Sequence, residues 1–128
     1  MTHILTQQTD NFEFPKLGAV RTRRGYVDEM ITLTSAPVDS RLGDDIRPLQ
    51  VSMTRTADDD PMFEVPLLDH TIAVLIGEET DHGYSEVVQF DLEQAERFAK
   101  LLTAAVESGK ADLVANADFL GAAEAVAS

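Results

Sequence analysis

The stretch DLEQAERFAKLLTAAVESG, residues 91–109, places Ala95, Phe98, Ala99, Leu102, Ala105 and Val106 at three- and four-residue spacings. That spacing predicts one apolar stripe on an amphipathic helix, with Glu93, Glu96, Arg97, Lys100 and Glu107 on the other side. Asp91 stands where an N-cap is needed, Gln94 three residues on supplies the partner of a capping box, and Gly109 is expected to end the helix. Glu93 with Arg97 and Glu96 with Lys100 are oppositely charged pairs four apart in the favoured order.

Upstream of this helix the period changes from 3.6 to 2. Leu49, Val51 and Met53 alternate with Gln50, Ser52 and Thr54, and Phe63, Val65 and Leu67 alternate with Met62, Glu64 and Pro66. Both patterns predict half-buried strands, although Pro66 argues against a central place for the second. Thr71–Gly77 is apolar on both faces and predicts a central strand. Glu86–Phe90 predicts a strand leading directly into the helix, Val27–Thr34 another, and Ala19–Arg24 one that pairs with it across a turn at Arg24-Gly25. Residues 36–46, 57–61 and 78–84 read as loops, rich in Asp, Gly and Pro. Strands followed by a helix predict an α+β fold. The expected form is an antiparallel meander of five to seven strands with the C-terminal helix packed on one face. Residues 1–110 would form a single domain, and the Ala-rich residues 111–128 a tail or a short second helix.

A chain of 128 residues is large enough to bury a core without staples, and it contains no cysteine. Disulfides, thiolate metal sites and cysteine nucleophiles are therefore excluded. The longest apolar run, Ile72–Ile76, is far shorter than the roughly 20 residues a membrane helix requires, so a cytoplasmic protein is the expectation. There are 23 acids and 10 bases, a net charge of −13. Residues 1–36 hold Asp10, Glu13, Asp28 and Glu29 against Lys16, Arg21, Arg23 and Arg24, so the whole acidic excess lies downstream. Such a surface repels a phosphate backbone, and direct nucleic-acid binding is not expected. A basic protein partner is.

If the strands from 49 to 90 make a simple meander, the turns at 57–61 and 78–84 fall at one end of the sheet. Asp58, Asp59, Asp60, Glu78, Glu79 and Asp81 would then form an acidic rim able to receive that partner. A hard cation is an alternative occupant, although neither loop has the spacing of a self-sufficient calcium loop, so no metal ligands or cofactor are assigned. Arg21, Arg23 and Arg24 form a second cluster, suited to an anion or to protecting a strand edge. His70 and His82 flank one strand and lie too far apart to share a metal, and His3 is expected in a mobile terminus. Gly83-Tyr84-Ser85-Glu86 begins like a nucleophile elbow but has Val87 in place of the closing glycine. No catalytic residues are assigned.

The segment from Thr71 through Ala105, a strand and hairpin running into L-E-Q-A-E-R-F-A-K-L-L-T-A-A, resembles the C-terminal half of small uncharacterised proteins of actinobacteria and their phages. In those proteins a short sheet is followed by an L-x-x-A-x-x-x-A-x-x-L helix. Seven arginines against three lysines, with abundant Ala and Asp, fit a high-GC source. The resemblance covers about a quarter of the chain and implies no activity, cofactor or site.

The residues thus lead to a non-enzymatic acidic protein that binds or regulates another protein, with a phage-encoded accessory aimed at a host protein as one form of it. It would be steered by its acidic turns and held by burial of apolar surface. Nucleic-acid mimicry against a DNA-binding protein is an alternative. A divalent-metal-dependent binder or enzyme at the acidic rim is another. A homodimer is expected on the sheet face that one helix leaves uncovered.

Overall fold

A computed structural model describes residues 3–8, 13–20, 28–59, 65–77, 83–84 and 86–121. The fold is α+β, as the two periods predict. The chain divides into two compact units, Met1–Leu92 and Glu93–Ser128.

The first unit is a six-stranded sheet built from β1 (His3–Gln8), β2 (Asp28–Thr34), β3 (Val38–Leu42), β4 (Asp45–Asp58), β5 (Leu67–Ile76) and β6 (Glu86–Phe90). The order is β1-β2-β4-β5-β6, with β3 also paired to β4. Every pair is antiparallel except β1 with β2, which run parallel. The meander thus runs through β3-β4-β5-β6. A parallel pair cannot be joined by a tight turn, which accounts for the long connection between Gln8 and Asp28. His3, expected in a mobile terminus, is the first residue of β1 and aligns with Glu29.

β2 and β3 lie end to end along the same side of β4. Thr34 pairs with Ser52 and Val38 with Leu49, so residues 35–37 face only Gln50 and Val51. The extra residue is a β-bulge. Ser35, which is buried, holds it together: its N–H donates to the Val51 carbonyl at 2.8 Å, and its Oγ accepts the Val51 N–H at 2.9 Å while donating to the Ala36 carbonyl at 2.9 Å. The Gln50 amide adds a bond to the Ser35 carbonyl at 3.0 Å. A tight turn at Gly43-Asp44 then reverses the chain into β4, with Gly43 at φ +62°. The expected loop over 36–46 is therefore largely strand.

Directly paired residues share a face. One face carries Ile31, Leu33, Met53, Ile72 and Phe90, and the other Thr32, Ser52, Thr54, Ala73 and Leu75. Leu33 has 0% exposure and is the only large side chain wholly buried among the described residues. Burial of a leucine of this kind contributes about 2 kcal/mol. Ala57 joins it on the first face, while Ala73 and Leu75 are buried on the second, as expected for a strand that is apolar on both sides. The strand expected at 62–67 is not formed as such: Val65 is in a bend, Pro66 is irregular, and Leu67 opens β5. Residues 62–64 lie outside the described residues. Ala19 and Val20 are likewise irregular, and the rest of the strand expected at 19–24 lies outside the described residues.

The second unit is helical. α1 spans Leu92–Ala115, directly after Asp91 at the anticipated cap position. Gly109 does not end it. The helix passes through Gly109 and breaks at Asn116, whose side-chain amide donates to the Asp112 carbonyl at 2.9 Å, and one further turn follows at 117–121. The expected pairs form, with Arg97 to Glu93 at 2.9 Å and Lys100 to Glu96 at 3.2 Å. The apolar stripe is present too, yet no residue of α1 is buried.

Candidate binding surface

The acidic rim rested on two loops sharing one end of the sheet, and the strand order separates them. The connection after β4 begins beside Asp58, which pairs with Leu67 at the start of β5, and the connection after β5 begins at Gly77. Ten residues of β5 intervene, about 30 Å at the usual rise per residue. The reason is that β4 pairs directly with β5, Asp58 opposite Leu67, so the connections before and after β5 leave from opposite ends of the sheet. Asp58 closes β4 and Asp59 follows it, both half-buried. Asp60, Glu78, Glu79 and Asp81 lie outside the described residues, as do Arg21, Arg23, Arg24 and His82.

A charged centre that the sequence did not signal occupies the Leu33 face. Arg55 on β4 sits diagonally from Glu29 on β2, and its Nη2 donates to Glu29 Oε1 at 2.7 Å. Its Nη1 donates to the Gly18 carbonyl at 2.7 Å, which fastens the segment 13–20 to this face of the sheet. The two side chains are 8% and 11% exposed. Arg55 Nε is buried without a hydrogen-bond partner among the described residues. Buried charges persist only when paired, and here the pair doubles as the anchor of the N-terminal crossover. His70 aligns with Arg55 on β5 and is half-buried.

Away from that centre the same face is apolar and incompletely covered. Val51, Val74 and Val88 align across β4, β5 and β6, and Met53, Ile72 and Phe90 form the next row. Val51, Val88 and Leu68 are exposed. Glu86 aligns with Ile76 beside the valine row and is exposed, whereas Asp69, also exposed, pairs with Thr56 and belongs to the opposite face. The opposite face is lined with hydroxyls: Thr32, Thr54 and Thr71 align across three strands, and the Thr32 and Thr54 hydroxyls are 2.9 Å apart. Tyr84, from the segment that imitates a nucleophile elbow, donates its hydroxyl to Gln50 Oε1 at 3.3 Å and so serves a structural bond.

Among the described residues, no group of three His, Cys, Asp or Glu side chains is close enough to hold a metal ion, and no helix is long and apolar enough to cross a membrane. Comparison with known protein families, curated proteins and solved structures finds no match to this chain.

Proposed function

We propose that this chain is a non-enzymatic, acidic accessory protein that binds a basic protein partner through the β4-β5-β6 face. The observation that carries this reading is the row Val51–Val74–Val88, exposed at both ends and bordered on the same face by the exposed carboxylate of Glu86. An exposed apolar patch rimmed by charge is the usual form of a protein-binding surface. With −13 overall, the field around it favours a partner of opposite sign and accelerates its approach.

The test is affinity capture from cell lysate on the full-length chain at about 50 mM and about 500 mM salt, which change the screening length severalfold. The expected result is a retained protein with a basic surface. Its capture is abolished by Val88→Asp, reduced by Glu86→Gln, and weaker at high salt. Capture that is indifferent to Val88→Asp and to salt refutes the reading.

A further inference from the structure

α1 is 24 residues long, about 36 Å, and buries none of them. Its side chains form a seam of Ala95, Ala99, Leu102, Val106, Gly109 and Leu113, spaced alternately by four and three residues. This is the 3.5-residue repeat of a helix that packs along its length on another helix, with Ala99, Val106 and Leu113 at a positions and Ala95, Leu102 and Gly109 at d. Leu102 and Val106 are each 53% exposed, and Leu113 is 59% exposed. Most helical stability in proteins comes from burying such a face, and two exposed ion pairs contribute little in its place.

We propose that α1 pairs antiparallel with α1 of a second copy of this chain, about a two-fold axis at the level of Ala104. Antiparallel pairing sets each a residue against a d residue of the partner helix. In this register Val106 meets Leu102 of the second copy, Leu113 meets Ala95, and Ala99 meets Gly109. The flanking e positions then bring Glu96 against Lys110 of the second copy, twice by symmetry, so that opposite charges close both ends of the contact. A parallel pair in register offers neither match. It places Asp91 against Glu96 of the second copy and leaves Lys110 facing Ala105.

Gly109 supplies an independent reason. Glycine inside a helix is destabilising, yet α1 runs through Gly109, and a Cβ added there meets nothing within 4 Å among the described residues. Nothing within the helical unit, as described, requires a glycine. Opposite Ala99 of a second helix, a missing side chain permits close approach of the two backbones. The proposal does not rest on the sheet-face reading, and it moves the expected two-fold from the sheet to the helix.

Sedimentation of the full-length chain across a dilution series, with helicity followed by circular dichroism, tests it. The wild type is expected to dimerise. Glu96→Lys and Lys110→Glu should each weaken the dimer on the order of tenfold, and the double exchange should restore it, because only the intermolecular pairs are re-formed. Gly109→Ala should raise helicity while weakening association. A helix that served only its own monomer would gain in helicity alone. Spin labels on cysteines introduced at Ala104 or Ala111 are unique, since the chain has none of its own. The distance should be longer at 111, whose copies lie about 20 Å further apart along the axis. A monomer at every concentration overturns the proposal. A dimer indifferent to residues 96, 109 and 110, or equal distances at 104 and 111, overturns it as well.

Discussion

Replacing Arg55 with methionine keeps most of the buried stem and removes the charge. It leaves the carboxylate of Glu29, 11% exposed, without the guanidinium that lies 2.7 Å away, and it leaves the Gly18 carbonyl without its donor. Breaking a buried ion pair from one side costs about 3–5 kcal/mol, because the surviving charge remains desolvated. That is a large part of the 5–15 kcal/mol typical of a whole domain, so Arg55→Met should lower the denaturation midpoint sharply and the Tm by roughly 10 °C or more. Glu29→Met should cost less than this, since a longer-reaching guanidinium finds water or a carbonyl more readily than a buried carboxylate finds a donor. The double variant should recover most of the loss, retaining a deficit of about 1 kcal/mol for the Gly18 carbonyl. Urea denaturation of the four proteins yields the coupling energy, expected at about 2 kcal/mol or more. Because Arg55 also fastens residues 13–20, the single variant should expose the bond after Lys16 to trypsin at denaturant concentrations where the sheet persists. Additive losses, or an Arg55→Met variant within about 0.5 kcal/mol of wild type, would refute the claim that this pair anchors the crossover.

Two further substitutions probe the β2-β3-β4 hairpin. Ser35→Ala removes the hydroxyl that accepts the Val51 N–H and donates to Ala36, and it should cost about 1–2 kcal/mol in denaturant melts, with amide exchange quickening first at Val51. Gly43→Val forces a β-branched residue to φ +62° and should cost about 1–2 kcal/mol; Gly43→Asn, which tolerates that region, should cost well under half as much by the same measurement.

The elements that could be read from sequence were those whose pattern records burial on one face. The helix start at Asp91, its two ion pairs, and strands over 27–34, 71–77 and 86–90 follow from local spacing; the structure forms the helix and both pairs, with β2 at Asp28–Thr34, β5 at Leu67–Ile76 and β6 at Glu86–Phe90. β3 reads as a loop because its residues, VDSRL, are mostly polar, and Val38 is exposed where a hydrophobic signal would need it buried. Its signature lay in the turn. Gly43-Asp44 between two alternating runs is a hairpin signal that outweighs low hydrophobicity. Gly109 misled in the opposite direction, because a helix C-terminus favours glycine only if the chain then turns, and here Leu113 continues the same seam.

The site was less legible because its parts are joined by register, which composition does not encode. Glu29 and Arg55 are 26 residues apart, and their contact exists only because β2 and β4 pair with Ile31 opposite Arg55. A shift of one residue would send Arg55 to the hydroxyl-bearing face, among Thr32, Ser52 and Thr54. The bulge at Ser35 bears on this directly. β3 pairs with β4 one residue out of step with β2, so a continuous hairpin zipped from the Gly43-Asp44 turn without the bulge would misplace every residue of β2. The hydroxyl of Ser35 stabilises the bulged pairing at the point where the two registers meet. Register also decides which loops are neighbours. Loop composition locates the carboxylates in sequence, but the number of strands between two loops decides whether they share an end of the sheet, and β4 pairs directly with β5. What survives is a surface defined by cross-strand alignment, Val51 with Val74 and Val88, for which the acidic excess of residues 37–128 supplies the field and the strand register supplies the shape.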